Sequence, residues 1–205
     1  AYMKHITDLN RERNTQINEQ AKENNDLLLA NNIKAIFLKG TGNLLEGLYE
    51  DIAERMVGDI DFIVSKEQFS RTISLLKNAN YKRTNDKITN PIISKHYPRL
   101  YHSKKIAAIE IHKDMLRDEL SKHFNFKSVI NSTFSINIFT VLNFNDQQIL
   151  TILSHQYNDR GAFFKKISLR NSYDTFLLDF KTKSLLLTNN KLIFNLLNNI
   201  FLYRL

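Results

Sequence analysis

The stretch Val57-Gly58-Asp59-Ile60-Asp61-Phe62-Ile63-Val64 places two acids two residues apart at the head of a β-favouring apolar run. A strand alternates its side chains between faces. Asp59, Asp61 and Ile63 therefore share one face, and Ile60, Phe62 and Val64 the other. The apolar face joins a core while both carboxylates leave it together. Carboxylate oxygens suit Mg²⁺, whose sites combine one or two such groups with substrate phosphates. Neighbouring carboxylates also suit a metal pair about 3.5–4 Å apart, the spacing used for in-line phosphoryl chemistry. A solvated strand end carrying two acids is the plain alternative. The flanking sequence weighs between the two.

Upstream, residues 4–31 are polar with scattered apolar positions, which predicts one or two amphipathic helices ending near Asn31-Asn32. The run Ile33 to Leu38 reads as a strand and stops at Lys39-Gly40-Thr41-Gly42. Residues 43–49 then carry helical spacing. A strand, a glycine turn and a helix N-terminus form a natural anion site, since free N–H groups and the helix dipole face the ligand. Gly40 lets a phosphate approach the backbone, and Lys39 and Thr41 add an ammonium and a hydroxyl. Most such turns do nothing more than turn the chain. Arg55, four residues before Asp59, either reaches a phosphate held there or balances Asp59 or Asp61.

Downstream, Ser65 is expected to cap a packing helix through Phe69, Ile73 and Leu76. Residues 82–98 hold both prolines and read as a loop or irregular hairpin. Residues 99–102 and 107–112 read as strands. Ala108, Glu110 and His112 share one face of the second, with Ala107, Ile109 and Ile111 on the apolar one. An acid on an otherwise buried strand is costly unless paired or bound to metal, so Glu110 is the candidate third acid. His112 is expected to orient Glu110 or touch substrate, not to ligate. A strand pair is expected around residues 134–139, and helices from 145 onward, with apolar stripes over 163–180 and 184–203. His155, Lys166 and Arg170 are polar residues on those helices, expected mainly on solvated faces.

The fold class is thus α+β: a small mixed sheet with flanking helices over 1–142, including an N-terminal helix, then a helical region over 143–205. The chain ends inside an apolar run, so a fragment is expected. No run is long enough to span a bilayer. The 205 residues include no cysteine, which excludes disulfides and thiolate metal sites and fits a reducing cytoplasm. The net charge of +8 favours an anionic partner such as a nucleoside triphosphate or RNA.

The order of apolar strand, Leu38-Lys39-Gly40-Thr41, helix, Arg55, Asp59-Ile60-Asp61-Phe62, helix and Ile109-Glu110-Ile111-His112 resembles the nucleotidyltransferase superfamily of DNA polymerase β and the aminoglycoside nucleotidyltransferases. It looks most like a bacterial branch of uncharacterised nucleotidyltransferases. Residues 33–112 carry the match, and Leu169-Arg170-Asn171-Ser172-Tyr173-Asp174 resembles that branch more weakly. Gly40-Thr41 replaces the usual Gly-Gly or Gly-Ser, and Glu110 the usual third aspartate.

The resemblance implies a nucleotidyltransferase fold with two Mg²⁺ ions, or Mn²⁺ in their place, among Asp59, Asp61 and Glu110. Gly40, Thr41, Lys39 and Arg55 would hold the β- and γ-phosphates of an NTP. An acceptor hydroxyl would attack the α-phosphorus and pyrophosphate would leave. A small-molecule acceptor is the first expectation. RNA or protein as acceptor, in the manner of toxin-type members, is the second. A catalytically silent nucleotide-binding protein is the third.

Overall fold

A computed structural model describes residues 2–84 and 95–182. Helix α1 (Tyr2–Leu29) is followed by β1 (Ile36–Phe37), α2 (Lys39–Glu46), β2 (Ile60–Ile63) and α3 (Phe69–Asn78). Then come β3 (Lys82–Arg83), β4 (Leu100–Tyr101), β5 (Ile109–His112), short helices α4 (Leu120–His123) and α5 (Phe126–Val129), and the hairpin β6 (Phe134–Ile136) and β7 (Phe139–Val141). Helices α6 (Phe144–Leu153), α7 (Gly161–Phe164) and α8 (Leu169–Asp179) close the described chain, with one π-helical turn, Ser154–Asn158, after α6. The expected helix over 184–203 lies outside the described residues.

The strands form one mixed seven-stranded sheet in the order β3-β4-β5-β2-β1-β7-β6. At its centre β2 and β5 run parallel, with Ile60 opposite Ile109, Asp61 opposite Glu110 and Ile63 opposite His112. Parallel neighbours need a crossover connection; α3, β3 and β4 lie on it. β3 and β4 pair antiparallel, and most of the stretch 82–98 expected as a loop or irregular hairpin lies outside the described residues.

Both faces of the sheet are covered. Phe37, Ile60, Phe62, Val64, Ile109 and Ile111 pack with Ile17, Ala21 and Leu28 of α1 and Leu76 of α3. On the opposite face Ile36, Leu38 and Ile63 pack with Leu116, Leu142, Leu150 and Leu153. The acid-bearing face of β2 is therefore not free along its length. It is open at Asp59 and Asp61 and sealed two residues later at Ile63, because the helices after β7 cover that end.

Three local expectations are corrected. The glycine stretch is not a separate turn: Lys39 takes φ 52°, makes the bend itself, and the helix begins there. Ser65 does not cap α3, which starts at Phe69 with Ser65 one turn earlier. The stripe over 163–180 is two helices, broken where Lys165 takes φ 51° and Ser168 caps α8.

The inward stripe of α1 is rich in amides: Asn14, Gln20, Asn24 and Asn25 are buried beside Ile17, Ala21 and Leu28. Asn24 accepts from the Tyr81 hydroxyl at 3.0 Å, and the other three bond loop backbone. Gln20 accepts from Ala107 N and donates to Ala107 O at 3.0 and 2.9 Å. Asn14 donates to Ile52 O and Arg55 O and accepts from Val57 N. Arg13 donates to Val57 O and Gly58 O, both at 3.1 Å. A polar helix thereby sets the loop that leads into the two acids. Asn14→Leu leaves buried backbone groups unpaired and should cost about 1–3 kcal/mol, measured by urea unfolding.

Glu46 ends α2, where the helix dipole disfavours a negative charge. Burial raises its carboxyl from 4.5 to about 7, against the opposing bond from Gln147. The folded state then holds a proton that the unfolded chain releases. Stability should fall as pH rises from about 4.5 to about 7, and thermal melts of Glu46→Gln should lose that slope.

Candidate active site

A cleft of about 380 Å³ opens over the acid end of β2 and β5. Its floor is Asp59, Asp61 and Glu110, one wall is Lys39 and Gly40 at the head of α2, and the other wall is Thr151, Ser154, Arg170, Asn171 and Asp174 from the later helices. Parallel register sets Asp61 directly beside Glu110, so two carboxylates emerge from adjacent strands toward one point.

Three basic groups hold the acids. Lys39 Nζ pairs with Asp61 Oδ1 and lies 3.5 Å from Glu110 Oε2. Arg99 Nε donates to Glu110 Oε1 at 2.9 Å, and its Nη2 lies 3.1 Å from Asp59 Oδ2. His112 Nε2 lies 2.7 Å from Asp61 Oδ1. Burial alone would raise the Glu110 carboxyl; contact with His112 and the charges of Lys39 and His96 outweigh it and hold the group well below the usual carboxylate range. Asp59 moves the other way: burial lifts it, Arg99 opposes the lift, and the neighbouring acids add to it. Burial would lower the Lys39 pKa, but Asp61 and Glu110 raise it. In the same cleft burial, aided by the charge of Lys39, lowers Lys95 to about 8.

Ligand atoms of Asp61, Glu110 and His112 all lie within 4.8 Å of one another, so this group could hold a metal ion. Chemistry separates its members. A metal-ligating histidine donates its other ring N–H to an acceptor. His112 is fully buried and its Nδ1 has no hydrogen-bond partner among the described residues. The imidazole is better satisfied donating from Nε2 to Asp61. The oxygen pair Asp61 and Glu110, with Asp59 across the Arg99 guanidinium, is the donor set that fits a hard cation.

The remaining expected residues fall differently. Gly40 lies against Arg55, and a Cβ there would meet the guanidinium Nη1 at 2.9 Å. The first bond of α2 runs from Gly42 N to Leu38 O, which leaves the N–H groups of Gly40 and Thr41 without an intrahelical acceptor. The Thr41 hydroxyl, expected to face a phosphate, is fully buried and donates to Asp59 O at 2.8 Å. It tethers the helix to the acid strand instead. Arg55 balances neither Asp59 nor Asp61. It pairs with Asp174 of α8 at 3.0 Å, and Tyr49 donates to the same carboxylate at 2.9 Å. Arg170 does line the cleft, whereas His155 lies against the Lys166 carbonyl at 3.1 Å.

Residues 1–185 match the family described as uncharacterised nucleotidyltransferase. The chain belongs to that family. The match takes in residues 33–112 and the weaker resemblance at 169–174, and adds α1 and the elements between. No curated protein matches this nucleotidyltransferase. No helix among its described residues is long and apolar enough to cross a membrane.

Arg99 and Asp174 were not anticipated. Arg99 carries no local signal, since a lone arginine after a proline has no pattern. His112, by contrast, was expected to orient Glu110 or touch substrate; it lies nearer Asp61, at 2.7 Å against 3.6 Å to Glu110 Oε2. The Arg55–Asp174 pair is nearly buried, with side chains 10% and 3% exposed. Asp174→Asn strands a buried guanidinium and should destabilise the fold by about 3–5 kcal/mol in chemical denaturation. Arg55→Met combined with Asp174→Leu should recover much of the loss.

Proposed function

We propose that this protein transfers an NMP group from a nucleoside triphosphate to a hydroxyl of a small acceptor and releases pyrophosphate. The observation that carries the reading is the side-by-side emergence of Asp61 and Glu110 from a parallel strand pair, next to Asp59 and to the N-terminus of α2. Asp59, Asp61 and Glu110 would hold two Mg²⁺ ions, which supply charge neutralisation on the phosphates and acidify the acceptor hydroxyl.

The chain's own groups do the rest. The free N–H groups of Gly40 and Thr41 and the positive end of α2 face the triphosphate. Lys39 and Arg55 add charge on either side of Gly40, and Asp174 fixes the Arg55 guanidinium so that it reaches the cleft without reorganising. His112 orients Asp61, and Arg99 spaces Asp59 from Glu110. The acceptor oxygen forms its bond to the α-phosphorus as the bridging oxygen to the β-phosphorus departs. The hydroxyl proton passes to a carboxylate of the cluster, and the electron pair leaves with pyrophosphate. Positioning and electrostatics account for the rate, as in other phosphoryl transfers.

A small acceptor is favoured over RNA by the size of the cleft, and several surface lysines are answered by acids. Lys66 pairs with Asp114, Lys105 with Glu23, Lys122 with Glu119 and Lys127 with Glu67. The cleft, at about 380 Å³, suits a small-molecule site.

The test is incubation of the purified protein with each α-³²P-NTP and a fractionated cell extract, with Mg²⁺ or Mn²⁺. Label should move to a low-molecular-weight fraction with release of pyrophosphate. Asp61→Asn and Glu110→Gln should each lower the rate by about 10²–10³-fold or more, and EDTA should abolish it. Label appearing on RNA or protein would replace the small acceptor. Unchanged transfer by Asp61→Asn would end the assignment.

A further inference from the structure

Lys39 and Arg99 occupy the two gaps between the acids. The Lys39 ammonium touches Asp61 and stands 3.5 Å from both Glu110 Oε2 and His112 Nε2, which places it amid the whole group that could hold a metal. The Arg99 guanidinium spans the other gap, from Glu110 Oε1 to Asp59 Oδ2. Three carboxylates are thus bridged by two cations, one between each adjacent pair. These are the spaces that two divalent ions would share if the transferase reading, on which this inference rests, is right.

Neither side chain is locked in. Lys39 is 25% exposed and Arg99 is 47% exposed, and both line the cleft. Lys39 also sits at φ 52°, a backbone conformation that strains a non-glycine residue and collects at functional positions. Lys39 and its neighbour Gly40 line the same cleft at the head of α2, where a bound phosphate would meet the ammonium.

We propose that Lys39 and Arg99 are resident counter-ions that compete with divalent metal for the carboxylates and are drawn off by the incoming triphosphate. In the free protein a metal ion must displace a side-chain cation from buried oxygens, so nucleotide-free metal affinity is low. A triphosphate offers both cations a new anionic partner and brings metal with it. Metal and nucleotide then favour each other's binding, and this coupling is reciprocal. A protein of this design keeps its acids from holding metal when no nucleotide is present.

The experiment is Mn²⁺ titration of the full chain without nucleotide, read by electron paramagnetic resonance and by calorimetry. Lys39→Met should bind Mn²⁺ about tenfold tighter than wild type, a coupling of the usual size between sites. Arg99→Met should also bind tighter. Lys39→Arg keeps a cation in the gap and should stay as weak as wild type. Circular dichroism melts verify that each variant is folded, and Arg99→Met carries the test if Lys39→Met is not. If folded Lys39→Met and Arg99→Met bind Mn²⁺ no tighter than wild type, while Asp61→Asn removes the binding, the counter-ion proposal is overturned and the metal site stands. If no folded variant binds Mn²⁺ at millimolar concentration, the transferase reading falls together with it.

Discussion

Two carboxylates held side by side on adjacent buried strands repel one another and lose hydration at once. Asp61 and Glu110 are in that position by strand register, at 8% and 7% exposure. Such an arrangement survives only where positive charge answers it. Much of the surrounding architecture can be understood as that answer. Lys39 comes from the bend after β1, Arg99 from just before β4 and His112 from the same strand as Glu110. Each arrives along a different path of the chain.

The scaffold that delivers these groups is unusual in its use of amides. α1 is polar nearly throughout, yet Asn14, Gln20 and Asn25 bond backbone groups in the loops before β2, before β5 and between β6 and β7. Loop backbone buried against a helix requires partners for its N–H and C=O groups. Side-chain amides supply donor and acceptor together, so one residue satisfies both ends of a loop. The acid strand is therefore positioned from behind by α1 and from the front by the Thr41 hydroxyl on the Asp59 carbonyl. Among the contacts by which the later helices close the cleft is a buried ion pair, Arg55 with Asp174, braced by Tyr49.

The site was partly visible in the residues. Asp59 and Asp61 on one strand face and Glu110 on an apolar strand are both short-range patterns. Strand alternation operates over a few residues, so it survives being read without a fold. The place of His112 on the face of the acids was read for the same reason, with Glu110 and not Asp61 as its expected partner. The inward turn of Thr41 was not, because a hydroxyl in the first turn of a helix can face either a ligand or a neighbouring strand, and packing chooses.

Local physics in the chain thus sufficed for the α+β class and for the shared strand face of the acids, since period-two alternation needs no distant partner. The folded molecule chose the rest: that Arg55 answers Asp174 and not Asp59, that Arg99 bridges Asp59 to Glu110, and that Ile63 is sealed while Asp61 stays open. Those outcomes depend on strand register and on helices laid down more than a hundred residues later. Burial decides the charge balance there, and burial is a property of the assembled layers that no single stretch of sequence carries.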